Sequence, residues 1–261
     1  MGSVLEPRSL IEQDRAQARA NLVWTYSELA RQVPGSELQP LGDGWLCRAP
    51  HDMPFCNFGI GLGVDLDPSS TVDLKATVQF QLPNQSFRIF CLTEGEHPVR
   101  NQTMAQFGFR STSRICHLKS AQAQGPMLKP EEVIDPTSRL ELASFMAKQF
   151  FWRQPEHQRR RIAEATARSG HRLFRVDQNG ILLGGWMLTE TPQAMGLYNV
   201  CVGLEQRGRG LGRSMVRTAQ AQAQEAGRPL FLQCDPALRR WYEALGFESQ
   251  GQIETFSKNS S

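Results

Sequence analysis

Hydrophobic and polar residues follow two different periods along the first half of the chain, which predicts a mixture of helices and strands. Apolar residues three and four positions apart predict helices over 11–33, 71–82 and 99–107. Compact apolar runs predict strands over 45–48, 55–64, 87–92 and 113–118. The first half is therefore expected to alternate strands and helices.

The same patterns continue in the second half. Thr137 or Ser138 is expected to cap a helix that runs to about Trp152, and Pro155 to begin a second helix that Gly170 ends. Asn179-Gly180 is a strong signal for a hairpin turn. The remaining predicted elements are strands at 171–176, 181–189, 195–202, 230–234 and 247–256, and helices at 211–227 and 236–245.

The chain has 261 residues, more than one compact domain usually contains, so two domains are expected. Gly125, Pro126, Pro130 and Pro136 lie among glutamines, alanines and glutamates, a composition typical of a linker. This predicts an N-terminal domain over 1–122, a linker over 123–136 and a C-terminal domain over 137–261.

Composition and charge narrow the class of protein. Hydrophobic residues make up 40%, and no apolar run approaches the length of a membrane span. A net charge of +3 does not indicate a general nucleic-acid binder, and the first residues, MGSVLEPRSL, lack signal-peptide features, so a cytoplasmic protein is expected. The six cysteines are scattered without the short paired spacings of metal or redox sites, so no metal is expected.

The stretch from Val202 to Gly212 is the strongest chemical signal, because three alternating glycines stand among arginines between a strand and a helix. Free amides at a helix N-terminus favour an anion, and Arg207, Arg209 and Arg213 add positive charge. The stretch lacks the Gly-Lys-Ser/Thr of a nucleotide P-loop and the third glycine of a dinucleotide fingerprint. A pyrophosphate fits, and a glycine-rich turn with solvated arginines is the alternative.

Two motifs resemble the GNAT acetyltransferase superfamily. Arg207-x-x-Gly210-x-Gly212 is similar to its Gln/Arg-x-x-Gly-x-Gly/Ala loop, and residues 235–247, DPALRRWYEALGF, resemble its Asn-x-x-Ala-x-x-x-Tyr-Glu-x-x-Gly-Phe pattern. Asp235 and Leu238 depart from that pattern. The resemblance covers the chain from about Lys129 to the C-terminus. It implies an α/β (α+β) fold whose mixed, mostly antiparallel sheet is flanked by helices.

The first half carries a degenerate copy of the same pattern. NFGIGL at 57–62 parallels NVCVGL at 199–204, and FGFRS at 107–111 parallels LGFES at 245–249. A tandem of two GNAT-like domains is therefore expected. Asp65, Asp67 and Pro68 stand where the second copy has its glycine-arginine loop. Because carboxylates repel phosphate and proline lacks an amide donor, the first copy is predicted not to bind cofactor. It would complete the substrate cleft or serve as a structural partner.

The resemblance implies acetyl transfer from acetyl-CoA to a primary amine of a small molecule or peptide, by direct attack on the thioester. Tyr242 occupies the position of the general acid, with a packed core tyrosine as the alternative. Glu190 is a candidate general base, with a water relay or a solvated loop residue as alternatives. The residues implied to hold the cofactor are Val200, Cys201, Val202, Arg207, Gly208, Arg209, Gly210, Leu211, Gly212, Arg213 and Asp235.

Several alternatives stay open at this point. A non-catalytic acetyl-CoA sensor or scaffold would keep the loop and need no acid or base, and a longer acyl-CoA would suit the same loop. Cys201 as a nucleophile is disfavoured because no histidine lies near it in sequence. Phe150, Phe151 and Trp152 either wall the acceptor pocket or pack in the core. No nucleic acid or membrane partner is expected, and a monomer containing an internal pseudo-dimer is possible.

Overall fold

The computed structural model describes residues 7–50, 56–81, 85–121 and 128–258. The helices are α1 (Pro7–Arg31), α2 (Val72–Phe80), α3 (Pro98–Gln106), α4 (Pro136–Phe150), α5 (Glu156–Arg168), α6 (Leu211–Glu225) and α7 (Arg239–Glu243). The strands are β1 (Glu37–Leu41), β2 (Gly44–Arg48), β3 (Phe58–Ile60), β4 (Phe87–Thr93), β5 (Arg110–Ser120), β6 (Glu131–Glu132), β7 (Arg172–Gln178), β8 (Ile181–Glu190), β9 (Met195–Val202), β10 (Leu230–Cys234) and β11 (Phe247–Lys258). Short 3₁₀ helices cover Gly63–Asp65, Leu204–Gln206 and Pro236–Leu238.

The strands form one sheet in the order β1-β2-β3-β4-β11-β5-β10-β9-β8-β7-β6. Among the strands of the described residues, the β3-β4 and β9-β10 pairs are parallel and the other pairs are antiparallel. The expected mixed, mostly antiparallel sheet is confirmed. The expected two sheets are instead continuous, because β4 pairs with β11 and β10 pairs with β5.

The two halves have the same order of elements. Three strands, a 3₁₀ turn, a helix, a strand, a helix and a last strand occur as β1 to β5 and again as β7 to β11. The last strand of each half lies in the sheet of the other half, and these two strands, β5 and β11, pair with each other at the centre. Strand exchange of this kind ties the two copies together through backbone hydrogen bonds as well as side-chain packing.

Helices cover both faces of the sheet. Helices α2, α3, α6 and α7 pack on one face, which we call the α6 face, over two clusters of buried side chains. Helices α1, α4 and α5 pack on the other, the α1 face. Helix α1 extends beyond its own half to contact β8, β9 and α5. Among the described residues, no helix has the length and apolar composition needed to cross a membrane.

Some local expectations differ from the structure. Asp135, rather than Thr137 or Ser138, caps α4, because its carboxylate accepts a hydrogen bond of 2.8 Å from the backbone N–H of Ser138. Helical structure at 236–245 begins as a 3₁₀ turn and is α-helical only from Arg239. Strand β6 lies within the predicted linker and pairs with β7. Phe55, Leu82 and residues 123–127 lie outside the described ranges. The division into domains stays a prediction.

Candidate active site

A gap between two parallel strands marks the candidate site. Strands β9 and β10 pair from Met195–Leu230 to Leu197–Leu232 and no further. Beyond Leu197, β9 continues to pair with β8, while Gln233 and Cys234 continue to pair with β5. The two strands therefore diverge, and the backbone of β9 from Tyr198 to Val202 faces the gap without a strand partner on that side within the described chain.

A β-bulge lies on β9 at the start of this gap. Tyr198 pairs with Met187 and Cys201 with Gly185, so two residues of β9 oppose one residue of β8. Asn199 has φ of +52°, the left-handed conformation that asparagine tolerates better than most residues. Such a bulge reorients the backbone N–H groups that follow it. Val200 packs on the α6 face, and Tyr198 and Cys201 lie on the α1 face.

The glycine-arginine loop joins the end of β9 to α6. Gly210 precedes α6 with φ of +81°, and α6 has no side-chain cap. Residues 207–210 are exposed, and no heavy atom lies within 4 Å of the space that a Cβ on Gly208 or Gly210 would fill. The first amides of α6 have no acceptor within their own helix and adjoin open space, as an anion site requires.

The three arginines of the loop differ in their contacts. Arg207 donates hydrogen bonds to the backbone O of Val202 at 3.2 Å and to Oε1 of Gln149 on α4 at 3.0 Å. Arg209 contacts Gln206 at 3.4 Å, and Arg213 is exposed on the first turn of α6. Arg207 therefore anchors the loop to α4, while Arg209 and Arg213 supply positive charge at its open side.

Helix α7 brings Tyr242 to the same region. Its neighbour Trp241 and Val202 lie within 4.0 Å of the position of a Cβ on Gly212, so loop, strand and helix meet there. Tyr242 is buried and packs edge-on against Trp241, at 4.7 Å between ring centroids, and against Phe247 at 5.6 Å. Burial and the nearby Cys234 thiol raise the pKa of Tyr242, so the phenol keeps its proton at neutral pH. The packing and the acid interpretations are compatible.

Comparison with known proteins fits this geometry. Residues 139–247 match the model of the acetyltransferase (GNAT) family. We call residues 139–247 the GNAT domain on the basis of this match. No curated protein matches the chain in sequence. The tandem arrangement expected from the internal repeat agrees with the repeated order of elements.

Solved structures of GNAT proteins share the fold of nearly the whole chain. A GCN5-related N-acetyltransferase from Kribbella flavida superposes with a TM-score of 0.61 at 17% identity, over 93% of this chain and 95% of that one. An acetyltransferase of the GNAT family from Colwellia psychrerythraea gives 0.54 at 12% identity, over 98% of each chain. A tandem GNAT protein from the clavulanic acid biosynthesis pathway gives 0.55 at 14%, over 88% of this chain and 85% of that one. At these identities the likeness concerns the fold.

Glu190, the candidate base, lies away from the gap of the GNAT domain. It ends β8 three residues beyond Met187, the partner of Tyr198, which is about 10 Å along the strand. Its carboxylate binds Arg172 at 2.7 Å and Arg228 at 3.1 Å. Partial burial favours a raised pKa, but the two arginines outweigh it and hold the pKa of Glu190 below its usual value. Position and charge both disfavour Glu190 as the base.

Two other candidate residues of the GNAT domain have local partners. The Asp235 carboxylate accepts a hydrogen bond of 2.8 Å from the backbone N–H of Ala237 and so caps the 3₁₀ turn before α7. The Cys201 thiol lies 3.7 Å from the backbone O of Gly185, and burial raises its pKa to about 12. Because the thiol stays protonated, the disfavoured nucleophilic role of Cys201 loses further support.

The first copy fixes the turn that corresponds to the start of the loop through its own side chains. The Asp73 carboxylate accepts a hydrogen bond of 2.5 Å from the backbone N–H of Gly63, in the turn that corresponds to the loop. Arg100 of α3 donates to the backbone O of Val64 at 3.2 Å and of Asp65 at 3.3 Å, which joins that turn to α3. Counting back from the shared Gly-Phe, Met104 stands where Tyr242 stands in the second copy. The first copy therefore has Met104 at the position of Tyr242 and Asp65, Asp67 and Pro68 at positions of the loop.

A cleft of about 820 Å³ remains in the first copy, between α1 and the turns after β3 and β4. The basic side chains that line it already have partners. Arg15 pairs with Glu94, Arg19 with Asp65 at 3.6 Å, and Arg100 bonds the backbone as above. Burial raises the pKa of Asp65 to about 6 although Arg19 opposes the shift. Arg15 and Arg19 are thus paired with carboxylates, whereas Arg100 bonds only backbone oxygens and its buried Nη1 has no hydrogen-bond partner within the described residues.

Sequence reasoning missed a cavity on the α1 face. It measures about 100 Å³ and lies between α1, α5, β8 and β9, with Tyr198 and Asn199 of the bulge in its wall. Phe151 lines the cavity and also packs against a core cluster, so both interpretations of Phe151 stay open, whereas Phe150 and Trp152 are exposed. The only sequence signal was the apolar side of α1, which carries no chemical motif. In the described residues, no group of three or more His, Cys, Asp or Glu is arranged to hold a metal ion.

Proposed function

We propose that this protein transfers an acetyl group from acetyl-CoA to a primary amine by direct attack on the thioester. One observation carries the proposal: the uncapped N-terminus of α6, preceded by exposed glycines, adjoins the gap between β9 and β10. The site fits a coenzyme A diphosphate, since a Cβ on Gly208 or Gly210 would meet only open space. Acetyl-CoA supplies an acetyl group activated as a thioester.

Each residue then has a defined task. The backbone N–H groups from Gly208 to Arg213 bind the diphosphate, aided by the charges of Arg209 and Arg213, while the N–H of Arg207 is donated to the backbone O of Leu204. A backbone N–H near Cys201 and Val202, on the part of β9 that lacks β10, donates to the thioester oxygen as negative charge develops there. Val200, next to the bulge, orients this segment.

Proton transfer completes the reaction. The neutral amine forms the new C–N bond as the C–S bond breaks, and the leaving thiolate takes the phenolic proton of Tyr242. The amine nitrogen releases its protons to water, because Glu190 is held by Arg172 and Arg228. The phenolate regains a proton from solvent. In the overall reaction, the ammonium form of the amine and the thioester give the amide, the free thiol of CoA and one released proton.

A non-catalytic acetyl-CoA sensor is the second candidate function. The observation that favours it is the ion-paired state of Glu190, which leaves the site without the carboxylate base considered from the sequence. A sensor would bind acetyl-CoA through the same loop and release no CoA in response to amines.

One experiment separates the two. Calorimetry with CoA measures binding, and free thiol is followed while acetyl-CoA is mixed with methylamine at pH 8. Amine-dependent thiol release supports the enzyme. Binding without release supports the sensor, and absence of binding contradicts both.

A further inference from the structure

The cavity on the α1 face is built by both copies of the tandem. Leu29 and Val33 come from α1 of the first copy, and Ile162 and Ala165 come from α5 of the GNAT domain. Met187 of β8 forms the floor between them. Neither copy alone would enclose this space.

The walls of the cavity carry no charged side chain. Six of its eleven lining residues are apolar, and the others are Thr25, Tyr26, Thr166, Tyr198 and Asn199. Two of the polar groups next to it bond within the protein: the Tyr198 hydroxyl donates to Asn21 Oδ1 at 3.2 Å, and the Thr25 hydroxyl donates to the backbone O of Asn21 at 2.7 Å. A second ammonium or a carboxylate placed here would lose its hydration without gaining a counter-charge.

The cavity and the loop lie on opposite faces of the sheet at the same place along β9. Tyr198 and Asn199 belong to the cavity wall, and Val202 leads into the loop on the α6 face. The pairing of β9 with β10 ends just before this level, at Leu197–Leu232. An amine that reaches the gap from the α1 face therefore has its substituent beside this cavity.

We propose that the cavity holds the side group of the acceptor, so that the substrate is a primary amine with a compact, uncharged, apolar substituent. This inference rests on the proposed acetyl transfer and names its acceptor class. An apolar cavity of about 150 Å³ is known to admit benzene, so about 100 Å³ suits a branched alkyl group of about four or five carbons. Polyamines and amino acids are disfavoured because their second charge would be buried.

Matched amines test the proposal on the full chain. Isoamylamine and putrescine are similar in length, but putrescine ends in a second ammonium. We expect kcat/KM for isoamylamine to exceed that for putrescine by about a hundredfold, mainly through KM. Methylamine, which has no group to fill the cavity, reports on the chemistry alone.

Two variants change the cavity in opposite directions. Ala165→Leu fills it and should lower kcat/KM for isoamylamine about tenfold while methylamine changes less than about twofold. Arg160→Leu adds the same side chain at an exposed position of α5 and should change neither. Leu29→Ala enlarges the cavity on the side that the first copy contributes, and it should raise kcat/KM for phenethylamine relative to isoamylamine. This variant tests the proposal even if Ala165→Leu does not fold.

Binding is measured apart from turnover. With CoA present, isoamylamine should raise the Tm of the native chain and not that of Ala165→Leu. If methylamine is acetylated and kcat/KM is the same for isoamylamine and putrescine, the assignment of the cavity is wrong while the proposed acetyl transfer stands. Thiol release with none of the amines would contradict the proposed function, and a missing Tm shift with isoamylamine would then contradict the cavity assignment as well.

Discussion

The carboxylate of Asp73 and the backbone N–H of Gly63 lie 2.5 Å apart, in the turn of the first copy that corresponds to the glycine-arginine loop. Counting from the shared Gly-Leu, Gly63 corresponds to Glu205, so this contact fixes the turn just ahead of the amides that, in the second copy, we propose to face a phosphate. The positions that match Arg207, Arg209 and Gly210 of the loop carry Asp65, Asp67 and Pro68 in the first copy. The two halves are therefore expected to differ in ligand binding while sharing a fold.

Coenzyme A should accordingly bind at one site per chain. Calorimetry should give a stoichiometry near one, both for the native chain and for Asp73→Ala, because Arg100 still joins the turn to α3. Asp73→Ala should lower the free energy of unfolding by about 1 to 2 kcal/mol, since the Gly63 amide loses its charged acceptor. Asp43→Ala, at an exposed side chain, is the control and should change it by less than about 0.5 kcal/mol. A second binding event would show that the first copy is not degenerate.

Gly210 and Gly180 form a matched pair for testing the loop. Both have positive φ, +81° and +76°, and a Cβ at either position would meet no heavy atom within 4 Å. Alanine should therefore cost each about 1 kcal/mol of stability through backbone strain. Only Gly210→Ala should weaken CoA binding, by about tenfold, because it disturbs the amides ahead of α6. Equal CoA affinity in the two variants would remove the loop from the binding site.

The Tyr242 hydroxyl should matter for turnover and little for cofactor binding. Tyr242→Phe keeps the ring contacts with Trp241 and Phe247, so the fold and the CoA affinity should persist. Its kcat should fall by about a hundredfold, because the leaving thiolate loses its proton donor. Thiol-release kinetics measure kcat, and calorimetry measures affinity on the same preparation. An unchanged kcat would assign Tyr242 to core packing alone.

Glu190→Gln tests the base that geometry disfavours. Because the carboxylate is engaged by Arg172 and Arg228, its loss should affect local stability, by less than about 1 kcal/mol after solvent screening, and leave the pH profile of kcat unchanged. Glu132→Gln removes another partner of Arg172 and is the matched control. A loss of activity or a shifted profile in Glu190→Gln alone would restore Glu190 as a catalytic candidate.

Local signals predicted much of the fold. Asn179-Gly180 forms the expected turn with positive φ at both residues, and Gly227 follows α6 with φ of +64°. Strand β1 was missed because its sequence, ELQPL, is short, lacks β-branched and aromatic residues and contains Pro40. That proline is tolerated because β1 is an edge strand. Each of these features depends on a few neighbouring residues.

Long-range pairing could not be predicted in the same way. The sequence of β5 does not specify β10 and β11 as its neighbours, because any strand with a compatible face offers the same backbone hydrogen bonds. For the same reason the loop could be predicted from glycine and arginine, while the cavity could not. Its wall joins Leu29 to Ala165, 136 residues apart in the chain, and neither residue carries a chemical signature.

Two buried histidines should make the protein sensitive to mild acid. Burial lowers the pKa of His117 and of His171 to about 4, from 6.5 in the unfolded chain. Between pH 6.5 and pH 4 each histidine is protonated in the unfolded chain and neutral in the folded chain. The free energy of unfolding is therefore highest above pH 6.5 and falls as the pH is lowered toward 4. At pH 5 each histidine should account for about 2 kcal/mol of lost unfolding free energy. Asp65 opposes this in the same window, because its raised pKa favours folding at lower pH.

Denaturant unfolding at pH 7 and pH 5 measures the effect. Because glutamine does not titrate, His117→Gln should reduce the difference in unfolding free energy between pH 7 and pH 5 by the part that His117 contributes. This holds even if the variant is less stable at both pH values. His157→Gln, at an exposed position of α5, should leave the pH dependence as it is. If His117→Gln keeps the full difference between pH 7 and pH 5, His117 is protonated in the fold and the buried neutral state is wrong.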